Sequence, residues 1–403
     1  MPSEAKKTLK NLAGIHYGKS PKGILADDGH VPVIGTGGVE RYGTAYLYDG
    51  ESIVLGRKGT IDNPIYVDGK FWAIDTTFYL RDFNETDVKW LYYFLRTINF
   101  HSMSEATGVP SLSRDFLYSI EVNAPSKVEQ TQIAAVLSCI DRAIEHTEAL
   151  IAKQQRIKTG LMQDLLTKGI DEHGNIRSEA THEFKDSPLG RIPKEWKVEN
   201  LGAISTKMTN GFVGVASPFY TDNLDGIPYL MSNNVRANKF DLRKLIKVRS
   251  EFHARQKKSV LAAGDMLTVQ SGHIGTTCIV TPVLENSNCH ALIITRFKNP
   301  TVVPYFIAFY INSDRGMSRL SDIFIGSTIK HINVSDFACF LVPLPSMNEQ
   351  EEIIKRIRRA GDLLDAEHHR LLKLQKIKTG LMHDLLTGEI STNKISNAVE
   401  DCE

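Results

Sequence analysis

Between residues 133 and 165 the apolar positions fall at Ile133, Leu137, Ile140, Ile144, Ile151, Leu161 and Leu165, spaced by threes and fours or their multiples. That period, near 3.5, is the seam of a coiled coil. The pattern returns at Ile353, Ile357, Ala360, Leu364, Leu371, Leu374, Leu381 and Leu385. Pro125 and Pro345 stand just before the two stretches, and Gly169 and Gly388 just after them, where helix punctuation belongs. Thr147, Gln154, Lys158 and Glu367 interrupt the seam with polar groups able to fix its register. Two ordinary amphipathic helices, each on its own core, would give a similar pattern, but such helices usually run ~8–20 residues. Here each stretch approaches 40 residues, roughly 58 Å at 1.5 Å per residue. Pairing the two stripes buries both, and the expected arrangement is an antiparallel coiled coil.

The two stretches are copies of one unit. Gln155-Arg156-Ile157-Lys158-Thr159-Gly160-Leu161-Met162-Gln163-Asp164-Leu165-Leu166-Thr167 reappears 220 positions later as Gln375-Lys376-Ile377-Lys378-Thr379-Gly380-Leu381-Met382-His383-Asp384-Leu385-Leu386-Thr387. At the same offset Pro125-Ser126 matches Pro345-Ser346, and Glu129-Gln130 matches Glu349-Gln350. An internal repeat of this kind governs the architecture.

Each helix follows a block rich in glycine, aromatic and β-branched residues, with strand-like runs such as Ser52-Ile53-Val54-Leu55 and Thr77-Phe78-Tyr79-Leu80. The blocks look related. Asn11-Leu12-Ala13-Gly14-Ile15 resembles Asn200-Leu201-Gly202-Ala203-Ile204, and Gly50-Glu51-Ser52-Ile53-Val54 resembles Gly264-Asp265-Met266-Leu267-Thr268. Each later carries an aromatic helix (Asp87 to Thr97 in the first; Tyr305-Phe306-Ile307-Ala308-Phe309 in the second) and a polar loop ending at Asp115-Phe116 or Asp336-Phe337. The plan is globe, rod, globe, rod, with approximate two-fold symmetry inside one chain.

Composition narrows the function. Forty-eight basic residues against 47 acidic ones give no global field. Five cysteines lack a CxxC pair, which suits a reducing cytoplasm. No 18-residue apolar run and no signal peptide are visible, so no membrane partner is expected. Asn63-Pro64-Ile65-Tyr66 is a near miss to the Asn-Pro-Pro-Tyr signature of adenine methyltransferases. No glycine-rich loop for S-adenosylmethionine accompanies it, and a turn at a strand edge explains it as well. His290 beside Cys289, and His368-His369, lack metal-ligand company. No nucleophile with a base partner and no metal site is found, so the chain is expected to be non-catalytic.

Binding candidates are clearer. From Met231 to Val260 nine lysines and arginines face two acids, among them Lys244, Lys247, Lys257 and Lys258. Such a cluster is either a phosphate footprint or a solvated basic face. Loops with side chains suited to base edges contain Asn210; Gln270, Ser271 and His273; and Ser327, Thr328, Lys330 and His331. Their first-block counterparts are Arg57 and Lys58, with Ser111, Ser113 and Arg114.

The twin Gln-Arg/Lys-Ile-Lys-Thr-Gly-Leu-Met-x-Asp-Leu-Leu-Thr segments, and Ser187-Pro188-Leu189-Gly190-Arg191-Ile192-Pro193-Lys194-Glu195-Trp196 ahead of the second globe, make the chain resemble the specificity (S, HsdS) subunits of type I restriction–modification systems. The resemblance implies a mixed α/β fold: two α/β target-recognition domains separated by two long helices that form an antiparallel coiled coil. On that plan residues 1–124 and 196–344 are the recognition domains. Residues 125–170 and 345–390 are the helical spacers, 171–195 a connector and 391–403 a flexible tail. The implied partners are double-stranded DNA with a bipartite target, two methylation subunits and restriction/translocase subunits. S-adenosylmethionine would be bound by the methylation subunits and not by this chain. The first globe departs from the pattern in lacking the Gly-x-Ile-Pro-x-x-Trp lead-in. A specificity partner for a type II-like methyltransferase–nuclease fits the same residues, and a structural coiled-coil dimerisation protein would leave the paired globes unexplained.

Overall fold

The computed structural model describes residues 6–103, 108–298, 300–326 and 330–389. Two compact units emerge: one from Met1–Ile151 with Glu367–Glu403, the other from Ala152–Ala366. Each rod of the sequence plan is a single helix, α1 at Lys127–Thr167 and α2 at Met347–Leu386, and each crosses from one unit into the other.

Unit one holds two four-stranded sheets. The first runs Gly14–Tyr17, Thr77–Arg81, Ser52–Gly56 and Ile65–Val67, antiparallel throughout. The second runs Gly38–Gly43, Val31–Gly35, Lys70–Ala73 and Tyr48–Asp49, with its central pair parallel. Ser52–Gly56 is buried along its whole length. That explains why it reads as a continuous apolar run and not as an alternating one. Asp87 caps the Val88–Leu95 helix by accepting from the Trp90 amide at 3.0 Å. That helix drives Trp90, Leu91 and Leu95, all fully buried, into the core beneath the sheet.

Unit two repeats this plan. Its sheets run Ser205–Asn210, Leu292–Phe297, Met266–Val269, Thr277–Ile279 and Ile246–Val248, Ile227–Leu230, Asn288–Cys289. The parallel pair recurs between Ile227–Leu230 and Asn288–Cys289. Structural equivalence corrects all three sequence matches. Gly56 faces Thr77 as Val269 faces Leu292, so Val54 corresponds to Leu267 and not to Thr268. The Leu9 amide donates to Ile120 O and the Leu201 amide to Phe340 O, so Leu9, not Leu12, corresponds to Leu201. Leu9–Leu12 and Leu201–Ile204 both present apolar side chains three apart, and this let the match slip by one turn. Likewise Leu117 and Phe337 stand at the same place, each four residues past a cap at Ser113 or Asn333.

Within each unit the two long helices pack antiparallel. In unit one Ile133, Ala134 and Leu137 of α1 share a core with Leu385 and Leu386 of α2, and Asp141, further along α1, pairs with Lys378, further back along α2. In unit two Leu165 and Leu166 share a core with Ile353, Ile354 and Ile357, while the Lys158 ammonium lies beside Gly361. All the seam residues named from periodicity are buried or half-buried; Ile133, Leu137, Leu165, Ile353, Ile357, Leu364 and Leu385 are the most enclosed. Thr147, buried in the seam, satisfies its hydroxyl on Ala143 O at 2.7 Å.

The repeated Gln130 and Gln350 do one job twice. Each amide Oε1 accepts at 2.8 Å from the start of its unit's aromatic helix, from the Asp87 amide or the Val303 amide. Each Nε2 donates to the proline carbonyl ahead of its own long helix, Pro125 O at 2.9 Å or Pro345 O at 3.0 Å. The glutamines thus stitch globe to helix. Gln350→Ala strands buried backbone groups on both sides and is expected to cost roughly 1–3 kcal/mol in thermal unfolding. A loss below ~0.5 kcal/mol would show that water replaces the amide.

Candidate nucleic-acid interface

The fold gathers the polar loops of each globe at the same place. In unit one Gly14–Tyr17 ends at the sheet edge with Tyr17 46 % exposed. The loop after Ser52–Gly56 passes alongside, held by Arg57 N to Thr76 O (2.8 Å), Leu112 N to Arg57 O (2.9 Å) and Gly59 N to Pro110 O (3.0 Å). Gly59 needs a φ of +92°, which glycine adopts without strain. The ladder sets Lys58 against Ser111 and brings Arg114, at the first turn of Arg114–Ser119, into the group.

The guanidinium carbons of Arg57 and Arg114 lie 5.6 and 5.2 Å from the Tyr17 ring centroid. Arg57 spends one Nη2 donor on Asp75 O at 2.9 Å. Neither arginine has an ion-pair partner among the described residues, and the Nε of each has no hydrogen-bond acceptor. Lys58 is exposed, whereas the Ser113 hydroxyl is occupied as a helix cap, accepting from Phe116 N at 3.2 Å. Tyr17 escaped the sequence reading. Its only local signal, an aromatic followed by Gly18-Lys19, is common, and it becomes visible once the sheet register sets it beside residues 57 and 114.

Unit two builds the same crossing with different side chains. Gly18 N donates to Thr77 O and Gly211 N to Leu292 O, which puts Asn210 where unit one has Tyr17. Ile332 N donates to Gln270 O, as Leu112 does to Arg57, so Gln270 stands for Arg57 and Ser271, bridged to His331, for Lys58. Asn210 Oδ1 is shielded and unpartnered. Gln270 commits Nε2 to Ile332 O at 3.1 Å, and His273 Nε2 lies 3.2 Å from Val235 O. Lys330 is exposed. Ser327 and Thr328 lie outside the described residues.

The basic cluster divides in the fold. Arg243 grips Asp241 through Nε and Nη2 at 2.9 and 2.7 Å, and that hydrogen bonding holds the Asp241 carboxyl far below its usual range. Lys247 turns its ammonium to Asn223 O and Leu224 O, and Arg249 covers Phe219. Lys244, Lys257 and Lys258 stay exposed with no ion pair among the described residues. Lys207, its pKa lowered chiefly by burial, donates to Lys258 O at 2.9 Å and so anchors the turn that carries Lys257 and Lys258.

Neither motif that hinted at catalysis is assembled for it. Tyr66 of the Asn63-Pro64-Ile65-Tyr66 turn donates to Glu51 at 2.5 Å, beneath Lys89 and against Tyr92. Burial and that carboxylate push its phenol pKa up, the opposite of activation. His290 bonds the Tyr229 hydroxyl at 3.0 Å, and burial lowers its pKa. Among the described residues one set of possible metal ligands converges, His383, Asp384 and Glu389, and it is open to solvent.

Two copies of one recognition fold, each offering a polar loop crossing, together with duplicated helices, are the plan of a bipartite binding protein. The chain belongs to the family of type I restriction–modification DNA specificity proteins: the description "Type I restriction modification DNA specificity domain" matches residues 2–154 and 193–376. It is therefore the DNA-recognition subunit of such a system and not its enzyme. Among relatives, the type I restriction enzyme MjaVIII specificity subunit of Methanocaldococcus jannaschii is 24 % identical over 361 residues, covering 87 % of this chain and 79 % of that one. The EcoBI specificity subunit of Escherichia coli is 23 % identical, over 74 % and 64 %. The crystal structure of the S subunit from M. genitalium shares the fold with a TM-score of 0.60 at 17 % identity, covering 95 % of this chain and 96 % of that one. The HsdS subunit of Thermoanaerobacter tengcongensis gives 0.53 at 15 % identity, over 97 % and 98 %.

Proposed function

We propose that unit one reads one half of a split DNA target and unit two the other. Two methylation subunits dock on the duplicated helices and bring S-adenosylmethionine, and restriction/translocase subunits join for cleavage of cytoplasmic DNA. What carries this reading is a contrast between the two copies. At equivalent loop positions the globes differ (Tyr17 and Asn210, Arg57 and Gln270), as readers of different half-sites must. The helices instead repeat one surface. Gln155, Ile157, Thr159 and Gly160 are exposed, and so are Gln375, Ile377, Thr379 and Gly380. One surface presented twice suits two copies of one partner.

Lys244, Lys257 and Lys258 are the phosphate contacts of this reading, and their charge supplies affinity without sequence preference. The direct test is methylation mapping of the host genome with and without the gene. A bipartite motif should lose its methylation when the gene is removed, and an unchanged methylome would refute the proposal. The purified chain alone should neither methylate nor cut.

Gly160 and Gly380 sharpen the partner reading. Both sit inside helices, where glycine costs about 1 kcal/mol relative to alanine. A Cβ at either position would meet nothing within 4 Å, so the chain's own packing does not require glycine there. A close-approaching partner would. Gly160→Ala with Gly380→Ala is expected to raise the melting temperature of the free chain while weakening assembly with the methylation subunits in titration. A stabilised variant that assembles at full affinity would remove these glycines from the docking surface.

A further inference from the structure

We propose that the half-site read by unit one contains a guanine, and that Arg57 and Arg114, both held against the Tyr17 ring, are the residues that specify it. The inference rests on the reading of this chain as a DNA-specificity subunit and goes beyond it by naming the base and its readers.

Three observations support the assignment. First, Arg57 and Arg114 converge on one exposed aromatic ring although they lie 57 residues apart in sequence (57 to 114), and Tyr17 is steadied from behind by Phe78, 5.0 Å away. Cation–π contact limits where a guanidinium can lie, and a restrained guanidinium turns a diffuse charge into a directional donor. A phosphate contact needs no such alignment. Second, neither arginine is neutralised by a carboxylate among the described residues. Each Nε is enclosed, and of the Nη groups only Arg57 Nη2 has a hydrogen bond among the described residues, which leaves Arg57 Nη1 and both Nη groups of Arg114 to donate outward. The one committed donor, Arg57 Nη2 on Asp75 O, restrains the side chain without cancelling its charge. Third, the contrast with unit two is chemical. Its counterparts of Tyr17 and Arg57 are Asn210 and Gln270, neutral amides on the same backbone scaffold, so the arginines are not a requirement of the fold. On a major-groove edge the fork of arginine matches the O6 and N7 acceptors of guanine, and no other base offers two acceptors at that spacing.

The test uses the full chain assembled with its methylation subunits and a library of randomised double-stranded DNA. Wild type should select a guanine at one fixed position of the unit-one half-site. Arg57→Lys and Arg114→Lys keep the charge but lose the fork. They should relax that preference roughly ten- to hundred-fold while leaving the other half-site and the salt dependence unchanged. Replacing the selected guanine by 7-deazaguanine removes the N7 acceptor and should reproduce the loss with the unaltered protein, a measurement that no folding defect can imitate. Should the lysine variants retain the full guanine preference, the arginines are phosphate contacts and the proposal falls. It falls equally if the unit-one half-site holds no guanine, with the DNA-specificity reading intact. Only a wild-type complex without preference in either half-site would overturn that underlying reading too.

Discussion

Glu349→Gln is expected to destabilise the chain by roughly 3–5 kcal/mol, the cost of leaving a buried charge without its partner. Glu349 stands in the first turn of α2 with its side chain 9 % exposed, against Arg177 at 10 %. Its Oε1 accepts from Arg177 Nη1 at 2.5 Å, from the Trp196 indole at 3.1 Å and from the Ile170 amide at 3.0 Å. One carboxylate thus fastens the connector after α1, the lead-in tryptophan of the second globe and the start of α2. Glutamine keeps part of the hydrogen bonding and abandons the Arg177 charge. Glu349→Leu with Arg177→Met should lose less, since it removes both charges and strands only the indole and amide donors. Glu129 occupies the equivalent place in unit one but accepts no such trio among the described residues, so Glu129→Gln should change little. Thermal unfolding of the four chains decides the matter. A Glu349→Gln loss under 1 kcal/mol would mean that water reaches Arg177.

Lengthening the helices should move the half-sites apart without changing them. Seven residues inserted after Lys153 in α1, matched by seven after Ala366 in α2, preserve the seam phase and add about 10 Å of helix. At ~3.4 Å per base pair the gap in the target is expected to grow by about three pairs, while both recognised sequences persist. Exchange of residues 187–344 for those of another family member is the complementary change, and it should replace one half-site and leave the gap as it was. Methylation mapping reads both outcomes. An unchanged gap in an active insertion variant would show that α1 and α2 do not set the spacing.

The helices were legible in the sequence because a coiled-coil seam is a local code. Residues three and four apart share a face whatever lies elsewhere, so Ile133 to Leu165 announced α1, and an almost verbatim copy announced α2. The kinship of the globes was legible as well, since buried central strands such as Ser52–Gly56 and Met266–Val269 show as short apolar runs. Its register was not. One helical turn with apolar residues three apart fits the other at two offsets, and long-range hydrogen bonds such as Leu9 to Ile120 and Leu201 to Phe340 choose between them.

The candidate interface divides in the same way. Arg57, Arg114, Asn210 and Gln270 could be named from residue type and loop context. That Arg57 and Arg114 meet over Tyr17 could not, because strand pairing unites segments 40 and 57 residues apart and leaves no periodic trace in between. The basic run from Arg236 to Lys258 shows the converse. Sequence counts formal charges, whereas the fold spends Arg243 on Asp241 and Lys247 on backbone carbonyls and leaves Lys244, Lys257 and Lys258 in solvent. Local periodicity therefore determined the rods and the duplication. Which side chains share a surface, and which charges stay free, was decided by long-range strand register and burial, and these depend on the whole chain at once.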